Sequence, residues 1–251
     1  MDTSKFGQAG YSVRCGWGPD ALRLLAPLVD VVIIVDVLSF STAVDIAVGR
    51  GVTVFPYRWH DGTEYDFAAR VNATVASRRG EPGLTLSPAT LSAAQPGTRL
   101  VLPSPNGATL THGALEPGAK RVLVGCLRNA SAVVQAVAAD ETVAVVAAGE
   151  RLAGATGPLR PAIEDQLGAG AIIAALGRDG CSPEALVAQA PIAAGLDVPG
   201  SVIDSGSGRE LADAGFGDDV RLACQMDCST TVPELQGKRL VDAGAAARTR
   251  S

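Results

Sequence analysis

The stretch VVIIVDVLSFSTAVDIAVGRG, residues 31–51, decides the fold. It begins with five branched apolar residues, a composition typical of a strand buried on both faces in a parallel sheet. A single carboxylate, Asp36, interrupts the apolar run, and a helical segment follows and ends at Gly49. A strand, a polar loop and a helix in this order predict one unit of a layered α/β protein.

The same unit recurs along the chain. Further runs rich in valine and isoleucine predict buried strands, and segments with helical boundaries lie between and after them. We therefore expect a three-layer α/β/α fold with a largely parallel or mixed central sheet. The predicted strands are 30–37, 52–57, 99–103, 121–125 and 142–148, and the predicted helices are 19–28, 41–49, 62–80, 129–140, 161–180, 182–190, 207–215 and 218–226.

The composition allows a substantial core. The 251 residues are 47% hydrophobic with a mean hydropathy of +0.23. No long linker, repeat or low-complexity tail divides the chain, so we predict a single domain over 1–251, with frayed ends at about 1–9 and 242–251. Two loop-like stretches, 80–88 and 149–161, lie between packed elements and are candidate active-site loops.

The charge and the cysteines limit the partners and the compartment. A formal charge of -5 offers no basic surface for nucleic acid, although a small anionic ligand needs only a local cluster of arginines or amides. Five scattered cysteines and the lack of a secretion signal predict a cytoplasmic protein with reduced thiols. Asp30 and Asp36 break the most apolar region, so no membrane span is expected. Homo-oligomer formation stays open.

Asp36 stands where ligands bind in parallel sheets, beyond the carboxyl end of a strand. The hydroxyls of Ser39, Ser41 and Thr42 come where the next helix begins, so this stretch can hold a metal through the carboxylate and a phosphate through hydroxyls and amides. The alternative is a turn hydrogen bond from Asp36 and a helix cap from Ser41. This stretch alone supports both interpretations equally.

Two further loops follow strands in the same way. The first carries Ser104, Asn106 and Gly107, and by itself it is more typical of an ordinary turn. The second places Arg128 and Asn129 after the strand at 121–125. Repetition of the strand, polar loop and helix arrangement favours a shared site over separate turns.

Acidic residues in the later part extend this candidate site. Glu164 and Asp165 come near the start of an otherwise apolar helix, where they either complement the helix dipole or let one carboxylate turn into a cleft and join a magnesium shell. Glu150 and Arg151 follow the last predicted strand and can supply a carboxylate and an anion-binding fork.

Several known chemistries are absent from the sequence. It contains no phosphocysteine loop, no Asp-x-Asp pair after Asp36 and no Gly-Lys-Ser/Thr phosphate loop, which excludes the common phosphatase and nucleotidase families. It has no Gly-x-Ser-x-Gly elbow, and His60 and His112 are its only histidines, so a triad has few candidate bases. The glycines at 168–170 lack the fingerprint of a dinucleotide site, which disfavours an oxidoreductase.

Five stretches together resemble the 2-phosphosulfolactate phosphatase (ComB-like) family. They keep the family's order and approximate spacing, and the resemblance covers roughly residues 10–235. No single stretch is diagnostic, but five in register are specific. They are VDVLSFSTAVDIAVGRGV, SPNGATL, GCLRNASAVV, AIEDQLGAGAI and RELADAGFGDDVRLACQMDCSTTVP.

The resemblance implies magnesium-dependent hydrolysis of 2-phospho-3-sulfolactate to 3-sulfolactate and phosphate, a step toward coenzyme M. It also implies that family motif positions are occupied by Asp36, Asn106, Gly107, Asn129, Glu164, Asp165 and Gly170. The chain departs from the family at Ser39, where an arginine is common, and at Ser104 and Pro105, where Thr-Thr often stands. Of a longer glycine-containing motif, only Ser87 and Pro88 remain.

We therefore predict a cytoplasmic, Mg²⁺-dependent phosphatase acting on a small, doubly anionic organic acid. Whether Asp36 attacks phosphorus or only holds metal stays open, since both roles need an oxygen at the same place. The alternative is a non-catalytic small-anion-binding protein on the same scaffold, motivated by the serine at position 39. The predicted catalytic residues are Asp36, Ser39, Asn106 and Glu164; the substrate-binding residues are Ser41, Thr42, Ser104, Gly107, Arg128, Asn129 and Arg151; the metal ligands are Asp36, Glu164 and Asp165.

Overall fold

A computed structural model of the chain describes residues 4–58, 61–116, 118–152 and 157–244. His60 and the outermost parts of the ends predicted to fray, 1–3 and 245–251, lie outside the described residues. Within those ends, Ser4–Gly7 form a single 3-10 turn.

The order of elements follows the predicted alternation. The five strands expected from the apolar runs are all present, within one or two residues of their predicted limits, and each is followed by a helix or a loop as expected. The strands are β1 Val13–Trp17, β2 Val31–Val35, β3 Thr53–Tyr57, β4 Thr74–Val75, β5 Arg99–Pro103, β6 Arg121–Gly125, β7 Val143–Ala147, β8 Glu150–Arg151, β9 Leu159–Arg160, β10 Pro233–Gln236 and β11 Arg239–Asp242. The helices are α1 Gly18–Leu25, α2 Phe40–Gly49, α3 Thr63–Arg70, α4 Pro88–Leu91, α5 Gly107–Gly113, α6 Ala130–Gln135, α7 Ile163–Leu176, α8 Pro183–Ala193, α9 Val198–Ile203, α10 Gly206–Asp213 and α11 Gly217–Ala223.

One mixed sheet of nine strands forms the middle layer, in the order β1-β7-β2-β6-β10-β11-β3-β5-β4. The pairings within β1-β7-β2-β6 and within β3-β5-β4 are parallel. The late hairpin β10–β11 joins these two sets through antiparallel contacts with β6 and β3. The three pairings β6–β10, β10–β11 and β11–β3 are all antiparallel, so the two parallel sets run in opposite directions.

Two hydrophobic cores, one on each face of the sheet, make the fold a three-layer α/β/α structure and confirm the predicted fold class. Because successive strand residues point to opposite faces, Val32 and Ile34 of β2 enter one core while Val31, Ile33 and Val35 enter the other. The first core also takes side chains from α1, α2 and α5, and the second from α6, α7 and α8.

The glycines at 168–170 serve packing between helices. A Cβ on Gly170 would lie 2.1 Å from the backbone oxygen of Ala188 in α8, so only glycine permits this approach of α7 and α8. The stretch therefore has a structural role, in agreement with its poor match to a dinucleotide fingerprint.

The helix predicted over 62–80 is much shorter than expected. It ends at Arg70 because the chain turns at Asn72, which adopts a positive φ of 49°. Residues 76–87 then run as a loop toward the candidate site. Within the described ranges, no helix is long and apolar enough to cross a membrane.

Candidate active site

The carboxylate of Asp36 is fixed by backbone amides at the end of β2. Its Oδ2 accepts a hydrogen bond of 2.6 Å from the amide of Gly107, and its Oδ1 accepts one of 3.3 Å from Phe40. A Cβ on Gly107 would lie 2.5 Å from the Phe40 ring and 2.7 Å from Oδ2. Glycine is thus required at position 107, and the loops after β2 and β5 meet as the sequence predicts.

Burial raises the pKa of Asp36 to about 7. The amides of Gly107 and Phe40 oppose this rise, whereas the negative charges of Glu150 and Glu164 add to it. No arginine or lysine of the described residues pairs with Asp36 within 4 Å. The carboxylate is therefore a buried negative group that a cation would stabilise.

Ser41 and Thr42 stabilise the turn that follows β2. The Ser41 hydroxyl accepts the amide hydrogen of Asp36 at 2.8 Å, and the Thr42 hydroxyl donates to the carbonyl of Val37 at 2.8 Å. Both side chains are buried. Their hydroxyls are engaged by the backbone of the turn, as in the alternative interpretation of this stretch.

The adjacent acids of α7, Glu164 and Asp165, are both buried. Neither of them faces solvent. Asp165 accepts the amide of Val37 at 2.7 Å with Oδ1 and the amide of Gly149 at 2.9 Å with Oδ2. It therefore ties together the chain after β2 and the chain after β7. Burial raises the pKa of Asp165 well above its usual value, and the charges of Asp36 and Glu164 add to the effect.

Two buried oxygens beside this cluster have no hydrogen-bond partner among the described residues: Oε2 of Glu164 and Oδ1 of Asn106. An unpartnered buried oxygen is costly, and such a pair suits a cation. Across the described ranges, no group of three His, Cys, Asp or Glu side chains is arranged to hold a metal. The predicted set of Asp36, Glu164 and Asp165 is therefore not a preformed triad, because Asp165 already holds two amides.

Asn106 links the loop after β5 to the loop after β7. Its Nδ2 donates to Oε1 of Glu150 at 3.0 Å, and the amide of Arg151 donates to the same oxygen at 2.9 Å. Ser104, which is buried, lies in the same cleft.

Arg79 is the functional candidate that sequence reasoning missed. Its guanidinium donates to the hydroxyl of Ser39 at 2.9 Å, lies 3.5 Å from Asp219 and stacks 4.9 Å from the centre of the Phe216 ring. Burial lowers the pKa of Arg79, while the charges of Asp219 and Asp36 oppose this change. A cation thus reaches position 39 from another loop.

Asp219 is in turn fixed in α11. It accepts the hydroxyl of Ser87 at 2.6 Å and the amide of Ala89 at 3.0 Å. Ser87 belongs to the loop at 80–88 that the sequence marked as a candidate, and Arg79 directly precedes that loop. The candidate loop at 80–88 was therefore the feature of the sequence that could have pointed to Arg79.

Arg128 and Asn129, which the sequence predicts to bind substrate, do not line the cleft that contains Asp36. Arg128 donates to Asp45 at 2.8 Å and to the carbonyl of Leu222 at 3.0 Å, and it lines a second cleft. Asn129 is fully buried and accepts the amide of Cys126 at 2.8 Å, which stabilises the turn after β6. Arg128 is thus held by Asp45 and the carbonyl of Leu222, and Asn129 by the backbone of the turn.

The resulting cleft has a volume of about 500 Å³, which suits a small metabolite. Of the predicted residues, it brings together Asp36, Ser39, Ser104, Asn106 and Arg151. Among the residues that the sequence did not single out, it adds Arg79, Arg160, Ser207 and Phe216.

Two comparisons with known proteins point in one direction. The sequence model of the 2-phosphosulpholactate phosphatase family matches residues 21–238. A protein of Deinococcus radiodurans named "Probable 2-phosphosulfolactate phosphatase" is 32% identical over 231 residues, which cover 86% of this chain and 92% of that protein.

Proposed function

Because the chain belongs to the 2-phosphosulpholactate phosphatase family and is a phosphatase of phosphoric monoesters, we propose that it hydrolyses 2-phospho-3-sulfolactate to 3-sulfolactate and phosphate with Mg²⁺. One observation carries the site: the buried carboxylate of Asp36 lies beside the Arg79–Ser39 pair in a cleft of metabolite size. The cleft thus contains a carboxylate, Asp36, and a guanidinium, Arg79, and the fold holds both in position.

The phosphoryl group would sit against Arg79 and the hydroxyls of Ser39 and Ser104. Arg79 offers Nη1, which is buried and makes no hydrogen bond in the described part of the chain, although it lies 3.5 Å from Oδ2 of Asp219. A guanidinium with a free N–H binds phosphoryl oxygens strongly, and fixed donors stabilise the charge that develops as the ester bond breaks. Asp219 and Phe216 hold the guanidinium in position.

Three oxygen groups near Asp36 are the proposed magnesium ligands. Asp36, Oε2 of Glu164 and Oδ1 of Asn106 would hold the ion with the help of water, since magnesium prefers oxygen ligands and keeps several waters. When bound, the ion polarises the phosphoryl group and neutralises charge. Asp165 positions the loops after β2 and β7 through its two amide contacts and would not bind the ion directly.

The serine at position 39 motivated the alternative of a non-catalytic anion-binding protein. The structure removes that motive, because Arg79 donates to the Ser39 hydroxyl and supplies the missing cation. Asp36 retains two roles, nucleophile or metal holder. If Asp36 is the nucleophile, 3-sulfolactate leaves first and the phosphoryl group stays on Asp36 until water releases it, so rapid-quench experiments should show a burst of one 3-sulfolactate per chain ahead of phosphate. Release of both products at the same rate in every phase would favour the metal role.

The test is phosphate release from 2-phospho-3-sulfolactate by protein treated with a chelator, before and after Mg²⁺ is added. We expect release only with Mg²⁺. Glu164→Gln should lose both the activity and the Mg²⁺-induced rise in melting temperature, whereas Glu184→Gln, in α8 and outside the cleft, should keep both. Full activity without any divalent ion would overturn the metal assignment, and no release with Mg²⁺ would overturn the substrate.

A further inference from the structure

A second cationic element of the cleft lies on β9. Arg160 is half-buried and donates from Nη2 to the hydroxyl of Ser207 at 2.9 Å and from Nη1 to the carbonyl of Pro161 at 3.3 Å. Ser207 is 5% exposed. Both side chains line the same cleft as Asp36.

Arg160 differs from the other guanidinium groups by its partners. Arg79 has Asp219 as an ion partner and Arg128 has Asp45. No carboxylate in the described ranges lies within 4 Å of Arg160, whose two acceptors are a hydroxyl and a carbonyl. A guanidinium held by neutral acceptors in a cleft keeps its full charge available for an anionic ligand.

The surroundings of Ser207 favour an anion at the same place. Ser207 is the second residue of α10, whose first turn is capped by Ser205 through a hydrogen bond of 3.0 Å to the amide of Gly208. The positive end of the helix therefore adds to the charge of Arg160. Glu210 also lines the cleft, but its side chain is exposed and screened by solvent.

We propose that Arg160 and Ser207 bind the sulfonate of the substrate and so select a phosphate ester that carries a sulfonate over one that lacks it. The assignment rests on the proposed function, which supplies both the substrate and this cleft as the active site. Arg79 and Ser39 hold the phosphoryl group on another wall, and the substrate bridges the two cationic groups. Arg160 is thus a specificity-determining residue.

The first arm of the test measures binding without turnover. Calorimetric titration compares 3-sulfolactate with lactate, which lacks only the sulfonate. We expect the wild-type protein to bind 3-sulfolactate at least about tenfold more tightly, the size of one charge-assisted hydrogen bond. Arg160→Gln should remove this preference. The control Arg209→Gln changes an exposed arginine of α10 that pairs with Asp204, and it should keep the preference. An unchanged preference in Arg160→Gln overturns the proposal, as does an equal loss for both ligands, which would place Arg160 at the carboxylate.

The second arm measures turnover of 2-phospho-3-sulfolactate and of 2-phospholactate. We expect Arg160→Gln to raise KM for the first about tenfold and to leave kcat/KM for the second within about twofold. Equal losses on both substrates contradict a specificity role. If the wild-type protein hydrolyses neither compound, the proposed function fails, and the titration still decides the role of Arg160.

Discussion

Two buried aspartates in the stretch 31–51, Asp36 and Asp45, differ in their hydrogen-bond partners. Asp45 accepts the guanidinium of Arg128 at 2.8 Å and the hydroxyl of Ser229 at 2.6 Å. Asp36 accepts only backbone amides. Burial raises the pKa of both, but only at Asp45 do a hydroxyl and a guanidinium oppose the rise. Asp45 is thus a satisfied structural group, whereas Asp36 is left in need of a cation.

The arginines near these aspartates show the same contrast. Arg128 donates hydrogen bonds to Asp45, to the carbonyl of Leu222 and to Gln225. Arg79 makes no hydrogen bond through Nη1 among the described residues, although Nη1 lies 3.5 Å from Oδ2 of Asp219, and it lines the cleft. Availability for a ligand is therefore decided by the acceptors that the fold provides and not by the motif in which an arginine stands.

The largest effect is expected for Asp36→Asn. Loss of this carboxylate should lower kcat by about a thousandfold or more, because both the charge and its role at the phosphoryl group disappear. The unfolding free energy should change little, because a neutral amide avoids the cost of a buried charge but can accept only one of the two backbone N–H groups that the carboxylate accepts. Phosphate-release kinetics and urea unfolding measure the two quantities, with the exposed Asp20→Asn as control. A kcat within tenfold of wild type, a margin of about 1.4 kcal/mol, would remove Asp36 from the mechanism.

Asp45→Ala should show the reverse pattern. It leaves the charge of Arg128 without its buried partner and should lower the unfolding free energy by about 3–5 kcal/mol. The kcat per folded molecule should stay unchanged, because the pair lies outside the cleft. The double variant Asp45→Ala/Arg128→Met should recover part of the lost stability in urea unfolding. A single-variant loss below about 1 kcal/mol would show that the pair behaves like an exposed one.

Arg79→Ala tests the cationic side of the contrast. It should lower kcat/KM by about a hundredfold, the usual effect of removing one donor that stabilises developing charge. Arg128→Ala is the matched variant and should reduce stability but leave kcat/KM unchanged. Steady-state kinetics with both variants at saturating Mg²⁺ checks this. Equal losses of kcat/KM would mean that the two arginines are not distinguished by their acceptors.

The pH dependence of stability gives the smallest expected effect. The folded-state pKa of Asp36 is raised to about 7, so the folded protein binds more protons than the unfolded chain between pH 4 and 7, roughly. Metal-free protein should therefore lose stability as pH rises through this window and level off above it. Asp36→Asn should flatten the curve relative to Asp45→Asn, as measured by urea unfolding with a chelator present. A metal-free protein that gains stability over this window, with no flattening in Asp36→Asn, would contradict the raised pKa.

The sequence was sufficient for the strands that are buried on both faces. Runs such as 31–35 and 143–147 consist of apolar residues alone, and the physical cause of burial is visible in them. The hairpin β10–β11 was missed because PELQGKRLVD is short and polar. Only tertiary pairing with β6 and β3 makes it a central element.

The site was predicted in part for a similar reason. Polar residues directly after strands, such as Asp36 and Asn106, can be found in the sequence because ligands bind beyond the carboxyl ends of strands. That rule does not explain why these two meet, since β2 and β5 belong to sets that run in opposite directions. The roles of Arg79, Arg128 and Arg160 depend instead on acceptors far away in the sequence. Asp219, which holds Arg79, and Asp45, which holds Arg128, are such distant partners, and no local pattern reveals them.

The position of β10–β11 in the middle of the sheet has a consequence during synthesis. Residues 233–242 join β6 to β3, although both of those strands lie within the first 125 residues. A nascent chain on the ribosome cannot unite the two parallel sets until this late hairpin has emerged. Until then, β6 and β3 each have one unpaired edge, and such edges promote aggregation. A chain released before residue 239 would lack the strand that pairs with β3.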